Sequence, residues 1–189
     1  MNLIVNKEKH EKYVPKKYDT PLMIGIKWQM DVKYVPTNCY VGKDSQKFYQ
    51  YTVIDEASRE RFIYPYKEQS SYSTIDFLRR AIVYFGYKSQ ILQTDNGTEF
   101  THKSNTKMIH PLDILCSEFN IAHKLIKPRT PKHNGKVERS HRNDQKSFYF
   151  YEDLQKQMKT YLIRSNNIPM QILGWISPIQ KRNQLEKQC

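Results

Sequence analysis

Across residues 24–35, IGIKWQMDVKYV, apolar and polar side chains alternate. Ile26, Trp28, Met30, Val32 and Tyr34 fall on one face; Lys27, Gln29, Asp31 and Lys33 fall on the other. A period of two over that length predicts a half-buried strand with Asp31 on its polar side. Residues 36–47 read as a loop turning at Gly42 and Asp44. Residues 48–55, FYQYTVID, and 61–66 are rich in β-branched and aromatic types, with the short EASRE connection between them. Three successive strands with connections this short predict an antiparallel meander.

The period then changes. Ser73 and Asp76 have the spacing of a capping box, Ile75, Leu78, Ile82 and Phe85 form a helical stripe, and Gly86 is a stop signal. Residues 90–94 read as a short strand running directly into Asp95-Asn96-Gly97, and 98–110 as polar loop. Residues 112–119 read as a helix and 122–127 as a fifth strand. Thr130 and Pro131 suit the start of a third helix, which runs to about residue 149. Leu154, Met158, Tyr161 and Leu162 outline another helix. Residues 166–175 look irregular, and Ser177-Pro178 opens a last short helical turn. A meander followed by alternating helix and strand predicts an α/β fold: a mixed five-stranded sheet flanked by helices. The expected division is a polar tail over 1–20, a core over 21–152 and a helical extension over 153–189.

The third helix sorts its residues into faces. Lys132, Lys136, Arg139, Asn143 and Lys146 make a basic stripe; Val137 and Phe148 are thinly apolar; Asn134, Glu138, Arg142 and Gln145 form the third. The bland reading is a solvated helix with i,i+4 ion pairs. Two distant acids change that picture. Asp95 follows a strand at its carboxyl end, where ligands of open α/β sheets gather, and Asp31 lies on a strand that can neighbour it. With the last helix packed across both, Asp31, Asp95 and Glu138 could meet. Three adjacent carboxylates repel, and a magnesium ion with hard oxygen ligands relieves that. Two such ions could serve a phosphodiester displacement. Asp55, a rival at a strand end, is read as a turn residue. Glu99 is either a supporting group near Asp95 or a loop charge. His102, His110, His123, His133 and His141 lack metal-ligand spacing, and His133 and His141 are expected to touch phosphate or water.

Composition narrows the partner. The 189 residues carry 31 Lys and Arg against 19 Asp and Glu, a net charge of +12, which fits a polyanion. No apolar run is long enough to span a bilayer, and no basic amphipathic helix has a rich apolar face, so a membrane role is not expected. The 3 cysteines, Cys39, Cys116 and Cys189, fit neither a disulfide framework nor a zinc ribbon, and a reduced cytosolic protein is expected.

Assembled, the motifs WQMDVKYV, YQYTVIDEASRERF, QTDNGTEF and HKLIKPRTPKHNGKVERSHRNDQKSFY resemble the catalytic core of bacterial insertion-sequence transposases of the DDE type, similar to retroviral integrases. NNIPMQILGWISPIQK resembles the family's carboxyl-terminal segment. The resemblance implies a ribonuclease-H-like fold. It implies Asp31, Asp95 and Glu138 as a metal-binding catalytic triad for two Mg²⁺ ions, with Mn²⁺ able to substitute, and no small-molecule cofactor. Asn96 and Asn134 stand beside those acids as supporting groups. Lys124, Lys127, Arg129, Lys132, Lys136, Arg139 and Arg142 are placed along the DNA path, with Arg142 as the best phosphate contact near the metals. Implied partners are transposon ends, target DNA and further copies of the chain, in the bacterial cytoplasm at the nucleoid. Two departures stand out. The interval between Asp95 and Glu138 is longer than usual, the excess being assigned to the loop after Phe100. The first 20 residues cannot hold the usual helix-turn-helix region, which implies a fragment, half of a split gene product or a decaying copy. The competing functions are therefore strand transfer, an idle DNA-binding remnant that modulates full-length transposase, and a ribonuclease-H-like nuclease.

Overall fold

The computed structural model describes residues 19–35, 47–102, 106–126, 135–147 and 154–188. Strands β1 (Lys27–Val35), β2 (Phe48–Asp55) and β3 (Arg61–Tyr66) form the expected antiparallel meander. Helix α1 (Ser71–Phe85) leads to β4 (Ile91–Thr94), and α2 (Pro111–Glu118) leads to β5 (Ala122–Leu125). Helices α3 (Gly135–Ser147), α4 (Leu154–Asn167) and α5 (Pro178–Glu186) follow. The sheet order is β3-β2-β1-β4-β5, with β1–β4 and β4–β5 parallel. The first strand is thus central, and the mixed α/β sheet has the ribonuclease-H-like arrangement expected of it.

The two faces of the sheet are buried by different chemistry. On one, Trp28, Met30, Tyr51, Val53 and Leu92 pack with Phe77, Leu78, Ala81 and Phe85 of α1 and Leu112, Leu115 and Cys116 of α2. Phe77 is fully buried, with ring centroids 5.5 Å from Tyr51 and 5.4 Å from Phe62. Truncating it to Ala would cost about 3–5 kcal/mol. On the other face, α4 seats Leu154, Met158 and Leu162 on Val35 and Ile63. Beneath α3 the buried layer is polar: Gln29, Gln50, Thr52, Glu56, Arg61, His141 and Asp144. The alternation in β1 therefore does not separate core from solvent, because α3 covers its polar side as well.

Several local expectations are corrected. The cap of α1 is Ser70, whose hydroxyl accepts the Ser73 N–H at 3.2 Å, so there is no Ser73–Asp76 box. Asp76 instead accepts from the Tyr66 hydroxyl and from Arg80 Nε, both at 2.6 Å. Gly86 does end the helix, at φ 74°. The last element is the nine-residue α5 rather than a short turn, with a capping box between Ser177 and Gln180. The irregular stretch 166–175 contains the end of α4 and a 3-10 turn at Gln171–Leu173. The start proposed for the third helix at Thr130-Pro131 lies outside the described residues. Asp55 has the expected turn role: its Oδ1 accepts the N–H groups of Ala57 and Ser58, and its Oδ2 accepts that of Gly25. Among the described residues, no helix is long and apolar enough to cross a membrane.

Candidate functional site

Parallel pairing sets the first two acids side by side. Gln29 of β1 is the register partner of Gln93 of β4. Two residues onward each chain reaches an aspartate, and a period of two keeps Asp31 and Asp95 on the same face, the one α3 covers. Just past the end of β4, Asp95 Oδ1 accepts the N–H of Gly97 at 2.9 Å in a tight aspartate turn. The Asn96 amide donates to the Ile126 carbonyl at 2.9 Å. Glu99 is buried and folds back beneath Gly97, where its carboxylate accepts from Gln69 Nε2. A Cβ on Gly97 would lie 2.5 Å from Glu99 Oε2, so a side chain there would make the Glu99 carboxylate swing aside.

Glu138 sits in the first turn of α3 and is exposed. Three anchors fix that helix on the sheet. Lys136 Nζ reaches Glu56 Oε2 at 2.9 Å. Lys33 Nζ donates to the His141 carbonyl at 3.2 Å. Asp144 pairs with Arg61 and accepts from Gln50, each at 2.7 Å. Asp31 lies beneath. Burial first, then the charges of Asp95, Glu138 and Glu99, push its carboxyl up to about 7. His141 Nδ1 lies 3.4 Å from Asp31 Oδ2, and burial holds that imidazole down to about 4.

Asp31, Asp95 and Glu138 offer hard oxygen donors, and the crowding at Asp31 is of the kind a divalent cation relieves. The donor chemistry thus fits a magnesium-type ion. Asp31 and Asp95 are brought together and Glu138 comes close enough to act on Asp31 through its charge. Among the described residues, no three His, Cys, Asp or Glu side chains close into a ready ligand set.

The expected cations divide. Lys124 and Arg139 are exposed. Lys136 is tied to Glu56, and burial holds its ammonium pKa down, so it is drawn inward rather than presented along a basic stripe. Lys127, Arg129, Lys132 and Asn134 lie outside the described residues, as does the side chain of Arg142 on α3. His133 also lies outside them. His141 contradicts the expectation of phosphate or solvent contact: it is buried on the inner face of α3. With Asp144, it stands on none of the three faces assigned to the helix from sequence. Val137, His141 and Asp144 follow the i, i+4, i+7 rhythm, which was the available signal.

Residues 23–131 match the model of the integrase core domain, a segment that ends before Glu138. The putative integrase ORF3 of Spiroplasma virus SpV1-C74 is 35% identical over 158 residues, covering 78% of this chain. The chain spans only 41% of that relative's length. Among solved structures, the simian T-cell lymphotropic virus intasome, in complex with PP2A regulatory subunit B56 gamma, superposes with a TM-score of 0.71 at 18% identity. That match covers 94% of this chain and 60% of the other. The HTLV-2 integrase catalytic core domain in complex with magnesium gives 0.62 at 19% identity, covering 85% of this chain and 98% of that one.

Proposed function

This chain belongs to the integrase core domain family, and we propose that it is a DDE-type polynucleotidyl transferase core that cuts and joins DNA strands during transposition of an insertion sequence. The observation that carries this reading is the crowding of Asp31 by Asp95 and Glu138 within a chain of net charge +12. Acids grouped at the end of a sheet suit metal binding, while surrounding cations suit phosphate.

Asp31, Asp95 and Glu138 would hold the divalent ions, two Mg²⁺ with Mn²⁺ as substitute. Bound there, the ions would polarise the scissile phosphate and favour ionisation of the attacking oxygen. In the first step water displaces one side of a donor phosphodiester and leaves a free 3′-hydroxyl. In the second, that hydroxyl loses its proton to solvent as it bonds to a target phosphorus, and the bond from that phosphorus to the target 3′-oxygen breaks, the departing oxygen taking a proton from solvent. Lys124, Lys127, Arg129, Lys132, Arg139 and Arg142 would line the DNA path, while Lys136 braces α3 through Glu56. Acting as a homo-oligomer on paired ends would bring donor and target together. A bacterial cytoplasm, at the nucleoid, is the setting proposed.

The test is to incubate the purified chain with Mg²⁺ or Mn²⁺, a short duplex with a free recessed 3′-hydroxyl and a supercoiled plasmid. Joined product supports strand transfer. Cutting without joining supports a nuclease, and retarded migration with neither reaction supports a binding remnant.

A further inference from the structure

On the sheet face opposite the acids, three side chains form a continuous chain ending at Asp95. Asp113 Oδ1 lies 2.6 Å from His123 Nδ1. His123 Nε2 lies 2.9 Å from Thr94 Oγ1. Thr94 Oγ1 donates to the backbone carbonyl of Asp95 at 2.9 Å. The register makes this possible: Leu92 pairs with His123 and Thr94 with Leu125, so Thr94 and His123 point to one face of neighbouring parallel strands. Asp113, in the first turn of α2, closes over the imidazole.

The direction of each bond follows from the donors available. Thr94 has a single hydroxyl proton, and the Asp95 carbonyl takes it. In the imidazolium form Thr94 then accepts from His123 Nε2–H and Asp113 from Nδ1–H; in the neutral ring Nδ1–H faces Asp113 and Nε2 competes for the Thr94 proton. The order Asp–His–Thr is that of a nucleophile relay, but here it cannot be one. Thr94 is fully buried, and its proton is already engaged.

We infer that the Asp113–His123–Thr94 chain is a positioning device for Asp95, fixing its backbone from one face of the sheet while its carboxylate serves the other. The Gly97 N–H fixes Oδ1 of the same residue. Asp95 is thus held through both its main chain and its side chain, just beyond the end of a four-residue strand. The inference rests on the proposed role of Asp95 in metal binding. Groups that orient metal ligands act on affinity without touching the ion.

The experiment is Mn²⁺ binding followed by electron paramagnetic resonance on the full chain, with DNA affinity and metal-free melting measured alongside. Thr94→Val and His123→Leu are expected to weaken Mn²⁺ binding about tenfold or more, the usual effect of removing a ligand's supporting partner. Thr94→Ser, which keeps the hydroxyl, is expected to retain wild-type affinity. The double variant Thr94→Val/His123→Leu is expected to bind no worse than Thr94→Val, because one chain has been cut twice. Asp113 is 42% exposed, so Asp113→Asn is expected to fold normally and to weaken binding in the same direction. DNA affinity stays constant throughout. Wild-type isotherms for Thr94→Val and Asp113→Asn overturn the inference while leaving the metal site standing. Equal weakening in Thr94→Ser and Thr94→Val also overturns it. A wild-type chain that binds no Mn²⁺ removes the metal reading itself, and this inference with it.

Discussion

His141 Nδ1 lies 3.4 Å from Asp31 Oδ2, yet neither group is held in the charged form that such a pair usually favours. Burial is the first cause at both groups. It pushes the Asp31 carboxyl up to about 7, with help from Asp95, Glu138 and Glu99, and brings the imidazole down to about 4. At neutral pH the contact joins a neutral ring to a carboxyl poised between its two forms.

That poise fixes a pH dependence. A metal ion needs ionised Asp31, so below pH 7 it must displace a proton. Apparent Mn²⁺ affinity should fall about tenfold per pH unit below 7 and level off above it. Without metal the sign is opposite for stability. An aspartate whose folded pKa lies above its unfolded value lowers stability as pH rises from about 4 to 7, on the order of 4 kcal/mol for Asp31 alone, while His141, held down to about 4, contributes in the opposite direction between about 4 and 6.5. Asp31→Asn should remove the Asp31 part of both slopes, leave melting temperature rising with pH between about 4 and 6.5 through His141, and raise the metal-free melting temperature at pH 8. Calorimetric metal titrations and thermal melts at pH 5, 6, 7 and 8 check this.

Asp144→Ala should be costly away from any reacting atom. Asp144 is fully buried between Arg61 and Gln50 and pins α3 to the sheet. Its loss strands a buried guanidinium, which typically costs about 3–5 kcal/mol. Urea unfolding measures the loss, and a change under about 1 kcal/mol would show that the pair is not holding the helix.

Lys136 and its exposed neighbours should separate in DNA binding. Arg139→Gln and Lys124→Gln should each lower the slope of log K against log salt by about 0.9, provided each meets a phosphate. Lys136→Gln should leave that slope unchanged and lower the melting temperature, since its ammonium partners Glu56. Fluorescence anisotropy across a salt series resolves the two patterns.

Asp95→Asn should abolish metal-dependent joining while leaving DNA affinity within about twofold, because phosphate contacts dominate binding. Joining by this variant at the wild-type rate would refute the assignment of Asp95. Gel assays of joining and anisotropy on one preparation provide the comparison.

The residues differ in how legible they were. Asp31 and Asp95 could be paired from the strand pattern, because a meander followed by a crossover places the first and fourth strands together. Glu138 rested on its motif, since a lone glutamate in a basic helix is otherwise a surface charge. Ser70 was missed because the stretch SSYS offers several plausible caps, and only the backbone decides among them. By polarity Gln29 falls on the polar face of its strand and His141 is expected at phosphate or water, while Glu56 and Asp144 carry no sequence signal of burial. They are buried because each finds its partner far along the chain, as Gln29 does in Glu56 at 2.6 Å and Gln50 in Asp144. Polarity patterns register exposure to water and carry no information about such long-range pairing. The Thr94–His123 contact was hidden for the same reason.

The most direct test is crystallographic: soak the protein in Mn²⁺ and collect anomalous diffraction data. The expected result is a peak within coordination distance of Asp31 and Asp95, with Glu138 turned toward it. A map with no peak there, or with peaks only at other acids, would contradict a shared metal site.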